Sequence, residues 1–194
     1  MRKTVFVMLT MALVPFGAFA VDGVVLINQS TVMAAGNFPY PISVAGSYKL
    51  SGNLVVPGNS VNGIQITASN VTLDLNGFSI TESSLNPGNG GFAMVLTIGA
   101  VTGVTLRNGT ISAISARQIN TNSASGTVFE DLTLLGGGNC LLGSLVIVRR
   151  VSYPNGFINI TCPALVVDSL SGGFVRNQIV STACTFGFVS GQVI

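Results

Sequence analysis

Carboxylates, guanidinium groups and thiols are the side chains of this chain best able to do acid–base, metal or redox chemistry, because it contains no histidine. They are scarce: six Asp and Glu stand against eight Lys and Arg in 194 residues. Five of them share a local setting, each directly following an apolar residue: Leu73-Asp74, Leu106-Arg107, Phe129-Glu130, Val148-Arg149 and Val167-Asp168. Two carboxylates held about 5–9.5 Å apart would suit general acid–base hydrolysis of a glycosidic bond. A denser cluster of acids would suit a hard cation such as calcium. Asp74, Arg107, Glu130, Arg149 and Asp168 are therefore the candidate groove residues. The cysteines offer less, since a metal site without His and without a CxxC pair lacks its usual ligands. No cofactor is implied.

What would position those five residues is a repeat. The apolar residue and its polar successor recur about every twenty residues, and the pattern continues at Val189-Ser190-Gly191. The two early copies also share their flanks. Ile64-Gln65-Ile66 precedes Val71-Thr72-Leu73 and Asn76-Gly77; Leu96-Thr97-Ile98 precedes Val104-Thr105-Leu106 and Asn108-Gly109. Between them Pro87-Gly88-Asn89-Gly90-Gly91 has the composition of an inserted loop. Alternation with period 2 predicts short strands, and Asn-Gly predicts tight turns with positive φ. The fold class expected is all-β, a solenoid of stacked coils in which like residue lies over like. A β-sandwich is the alternative, although it favours hairpins between adjacent runs.

Stacking makes its own test available. The position after the anchor alternates in sign through Asp74, Arg107, Glu130, Arg149 and Asp168 before ending at Ser190. Neighbouring strands lie about 4.8 Å apart, so opposite charges would attract along an outward column. Asp74 and Glu130 would then be roughly 9.6 Å apart with Arg107 between them. Exposed pairs contribute only about 0.2–1 kcal/mol each, so setting register is the better account of the column.

Cys140, Cys162 and Cys184 recur every 22 residues, near the repeat length. Cys162 and Cys184 each lie five residues before an anchor, and stacked Cα atoms fall within disulfide range. A Cys162–Cys184 bridge and a ladder of buried free thiols are both open readings. Asn28, Asn70, Asn108 and Asn159 each begin an Asn-x-Ser/Thr match. For the last three, placed at strand ends, local turn or ladder hydrogen bonding is the preferred role.

Residues 1–20 have the order of a secretory signal: Arg2 and Lys3, an apolar run from Val5 to Val14, then Ala18-Phe19-Ala20. That run is short for a membrane span, which needs about 20 residues. The expected organisation is a signal peptide over 1–20, an extended capping segment over 21–60, and coils over 61–194. Without Arg2 and Lys3 the remaining basic and acidic residues balance, which disfavours a nucleic-acid partner. No membrane partner is expected after cleavage. Export to the periplasm, cell surface or medium is expected. Val193-Ile194 falls inside an apolar segment, so self-association through the C-terminal coil is a further expectation.

Three segments resemble a known group: Asp22 to Gln29, Gly46-Ser47-Tyr48-Lys49-Leu50-Ser51-Gly52-Asn53-Leu54, and Asn70 to Phe78. They are similar to bacterial secreted right-handed parallel β-helix repeat proteins of the pectin-lyase-like superfold. The resemblance covers residues 21 to about 115 well and the remainder only as repeat pattern. It implies the handedness, and enzymes that act on acidic polysaccharides along one outer sheet. Polygalacturonase-like members use Asp residues with a His, absent here; lyase-like members use an acidic calcium cluster with an Arg base, whereas these acids are interleaved with Arg. Trp is absent, leaving Tyr40, Tyr48, Tyr153 and Phe residues to stack on sugars, with Phe129 expected in the core. The leading expectation is a non-catalytic exported protein presenting an outer face to a glycan or a surface protein. A degenerate or partial polysaccharide lyase or hydrolase and an end-to-end stacking module are the alternatives.

Overall fold

The computed structural model describes residues 23–58, 61–83, 92–136 and 139–154, and beyond them the backbone of four further strands. Where apolar residues alternate with Thr, Ser or Gln, the chain is extended, and every second side chain turns inward. The elements run β1 (Val24–Ile27), α1 (Gln29–Ala34), β2 (Tyr40–Ile42), β3 (Gly46–Leu50), β4 (Leu54–Val56), β5 (Ile64–Ile66), β6 (Val71–Asp74), β7 (Ser79–Glu82) and β8 (Ala93–Thr97). They continue with β9 (Thr105–Ser112), β10 (Arg117–Ser125), β11 (Val128–Leu135), β12 (Asn139–Ser144), β13 (Val146–Tyr153), β14 (Phe157–Thr161), β15 (Ala164–Val167), β16 (Leu170–Ser171) and β17 (Asn177–Gln178).

These strands form two sheets. The larger orders β1-β3-β6-β9-β11-β13-β15, with β4 and β7 pairing alongside β9; the smaller orders β17-β14-β12-β10-β8-β5-β2. From β2 onward the chain visits the sheets in turn, and every strand pair among the described residues is parallel. The protein is thus all-β with parallel sheets, and the antiparallel pairing of a hairpin-built β-sandwich is not what these strands adopt.

On the larger sheet β3 with β4, and β6 with β7, are two short strands separated by a turn. Later passes merge them into one bent strand, so that β9 pairs with both β6 and β7. From β6 to β13 the bend falls on a left-handed residue in each pass: Asn76 (φ 53°), Asn108 (φ 60°), Asp131 (φ 53°) and Arg150 (φ 51°). Asn and Asp tolerate this region because their short polar side chains bond locally. Glycine follows Asn108 for a different reason than expected. Gly109 has no positive φ; a Cβ there would meet the carbonyl oxygen of Phe78 at 2.6 Å and collide with the Leu75 side chain.

The apolar anchors stack as a buried column, Tyr48–Leu73–Leu106–Phe129–Val148. The next rung differs from the expectation: Val148 lies beside Val166, not Val167, because this repeat is one residue shorter than its predecessor. Opposite them in the core stand Ile64, Ile66, Val95 and Ile119 from the smaller sheet. Fully burying each such side chain contributes about 1.5–3 kcal/mol.

Parallel pairing does not wait for residue 61. Within the segment read as a cap, β1 pairs with β3, β3 with β6, and β2 with β5. Between β1 and β2, α1 is capped by Asn28, whose side-chain oxygen accepts from Thr31 N at 3.0 Å while Asn28 N donates to Thr31 Oγ1 at 2.8 Å. Val32 on this helix is fully buried. Asn70 takes left-handed geometry just before β6, as a local role requires, whereas Asn108, left-handed too, and Asn159 sit inside β9 and β14 and not at strand ends.

Candidate functional site

The candidate residues Asp74, Arg107, Glu130 and Arg149 form a single column on the outer side of the larger sheet. Each follows an inward anchor and therefore points away from the core. The column begins one rung earlier than its spacing indicated, since Lys49 on β3 lies beside Asp74. It also ends earlier, because Arg149 lies beside Val167. Asp168 is outside the described residues.

Within the column the charges engage one another. Arg107 Nε donates to Asp74 Oδ2 at 3.2 Å, and its terminal nitrogen lies 3.2 Å from the same oxygen. The other Asp74 oxygen accepts from Asn76 N at 2.8 Å and Asn108 Nδ2 at 3.2 Å. Arg149 Nε donates to Glu130 Oε2 at 2.5 Å, with its terminal nitrogen also on that oxygen. At the bend beside it, Arg150 grips Asp131 through two bonds of 2.6 and 2.9 Å and reaches Glu130 Oε2 at 3.7 Å. The hydrogen bond from Arg150 holds the Asp131 carboxyl below its ordinary range. A general acid needs a proton held near neutral pH, and a nucleophile or base needs a free lone pair near substrate. Here Asp74 Oδ2 and Glu130 Oε2 are each held by a guanidinium group of the next strand, and Arg107 separates Asp74 from Glu130. Among the described residues no three Asp, Glu, His or Cys side chains gather as a metal site.

Against family models, curated proteins and solved structures, the chain finds no match.

Beyond the bend the same strands carry a second outer surface. Ser79, Thr110, Thr133 and Ser152 form one column there, and Val55, Thr81, Ser112 and Leu135 form another. No charged side chain interrupts either column. Glu82, at the end of β7, turns inward instead and is 3% exposed. Its Oε2 accepts from the backbone N–H groups of Ile114, Ser115 and Ala116 at 2.6, 2.8 and 3.2 Å, and Oε1 accepts from Ser115 Oγ at 3.2 Å. The carboxylate thereby satisfies the backbone of a partly buried turn in the following pass. Sequence reasoning missed it, and the one available signal was an isolated acid in an otherwise uncharged stretch.

Inside the stack, Gln118 is fully buried, donating to Leu135 O at 2.9 Å and accepting from Tyr153 Oη–H at 2.7 Å. Burial raises the Tyr153 phenol above its ordinary range and pushes the Cys140 thiol up to about 12. Cys140 is a free, buried thiol and stays protonated at neutral pH, so it is a core residue rather than a nucleophile. It stacks beside Ile158, which takes it out of a simple cysteine ladder; Cys162 and Cys184 lie outside the described residues. Tyr153 and Tyr48 are both buried, and Tyr48 donates to Val44 O at 2.8 Å, so neither offers a free ring face to a sugar. Phe129 is in the core, as expected.

Proposed function

We propose that this chain is an exported right-handed parallel β-helix of the pectin-lyase-like kind that binds a glycan through an outer sheet face without cleaving it. The observation that carries this reading is the mutual engagement of the charged column, where Asp74, Glu130 and Asp131 are each held by an arginine of the next pass. Groups so paired set register and leave no free acid–base couple. The alternation between two parallel sheets, with buried anchors repeated at each pass, supports the helical reading of the fold. The uncharged columns beyond the bend supply a surface able to meet a hydroxyl-rich polymer. The test is a panel of neutral and acidic polysaccharides scored both for binding and for release of reducing or unsaturated sugar. Binding without product is expected. Product that disappears in Arg107→Ala and Arg149→Ala would overturn the reading in favour of a polysaccharide lyase or hydrolase.

A second reading, self-association, draws on β1. Among the described strands it ends the larger sheet, and Val25 and Leu26 on it are 42% and 51% exposed. An edge strand carrying apolar groups is a template for pairing. Mass measured by light scattering over a concentration series tests this, and a monomer throughout, in both wild type and Leu26→Lys, would exclude it.

A further inference from the structure

At the start of the uncharged surface, α1 lies against β4 and leaves an open groove of about 520 Å³. That volume lies within the range of about 300–1,000 Å³ usual for small-ligand sites. Met33, Phe38, Val55 and Pro57 supply its apolar lining, and Met33 and Val55 are about half exposed. Asn37, Asn53 and Ser83 add polar groups, and no residue lining the groove carries a charge.

The carboxamides around this groove are fixed at one end. Gln29 is held at both ends: its oxygen accepts from Val55 N at 2.9 Å and its nitrogen donates to Val55 O at 3.3 Å. Asn37 Oδ1 accepts from Phe38 N at 2.9 Å, and Asn53 Oδ1 accepts from Ser79 N at 3.0 Å. With the acceptor end of each asparagine held on the backbone, what remains at the groove is a two-proton donor. The Ser83 hydroxyl adds a group able both to give and to accept.

An apolar floor with an aromatic ring, bordered by amide donors and a hydroxyl, matches one face of a sugar ring. Its C–H groups would pack on Phe38, Met33 and Val55, and its hydroxyl oxygens would accept from the amides. The lining holds no cation, so a uronate's carboxylate would find amide and hydroxyl donors here but no charged partner of the kind that gives the strongest carboxylate contacts. We infer that this groove is a subsite for an uncharged sugar unit of a neutral polysaccharide. The inference rests on the glycan-binding reading above and deepens it. It places recognition away from the charged column, at the end of the uncharged surface where Asn53 leads into Ser79.

Calorimetric titration with neutral oligosaccharides (β-linked glucose, xylose, mannose and N-acetylglucosamine hexamers) and with a galacturonate hexamer tests it on the full chain. At least one neutral hexamer should bind more tightly than the galacturonate. Phe38→Ala and Val55→Glu should each weaken that binding about tenfold, while Arg149→Ala on the charged column should not. Because Phe38 is half-buried, Val55→Glu serves as the variant on an exposed side chain. Neutral-sugar binding unchanged in both groove variants, or a preference for galacturonate, would overturn this inference and leave the glycan-binding reading standing. No binding to any hexamer or polymer would overturn both.

Discussion

The strands β9, β11 and β13 each present two outer limbs, before and after a left-handed bend, and the limbs solve the same problem differently. Before the bend, Lys49, Asp74, Arg107, Glu130 and Arg149 alternate in sign from strand to strand. After it, Ser79, Thr110, Thr133 and Ser152 carry no charge, and the one acid, Glu82, is turned inward. Parallel stacking puts like position over like, so a slip by one pass would cost nothing on a uniform surface. On the charged limb it brings like charges together. The charged limb thus discriminates between registers, and the other limb carries no charge pattern that would do so.

The contrast can be broken most forcefully at Glu82. Glu82→Ala removes the acceptor of three buried or half-buried N–H groups, and should cost about 3 kcal/mol of stability in urea unfolding. A loss below about 1 kcal/mol would mean that the turn at 114–116 holds without it. Next in size is Glu130→Arg, which sets three guanidinium groups on adjacent strands. We expect a loss of about 2 kcal/mol, with part recovered in 1 M salt through screening; a salt-independent loss would point to packing instead. Arg150→Ala should act more gently. Asp131 is held below its ordinary 3.8 by Arg150, so its contribution is present above that pH and is lost as pH falls through the lower folded value. An NMR titration should find the Asp131 midpoint raised toward 3.8 in this variant. Smallest of all, Thr133→Ala on the uncharged limb should change stability by no more than about 0.5 kcal/mol. A larger effect would show that this limb also sets register.

Much of the stack was legible because it repeats. Leu73, Leu106, Phe129 and Val148 announce themselves by alternation, and the charges beside them by their signs. The next rung was misplaced for a specific reason: Val166 and Val167 are equally apolar, and an acid after the second made it resemble the earlier anchors. Lys49 escaped notice because its anchor is Tyr48, within a segment whose Gly, Ser and Asn content suggests turns. Glu82 gave no more than the sign of an isolated acid, and its role could not be read. Its partners lie 32 to 34 residues further on, and no local pattern connects a carboxylate to backbone N–H groups. The groove beside α1 was hidden likewise, because it joins residues 29–38 to residues 53–57 and Ser83.

The alternating column also carries a rule of parity for how such a chain can lengthen or shorten. Deleting one internal pass would bring two cations or two anions side by side, as when Arg107 is lost and Asp74 meets Glu130. Deleting two successive passes restores opposite neighbours. Lengthening or shortening of the stack would therefore favour even steps, by pairs of passes more readily than by one.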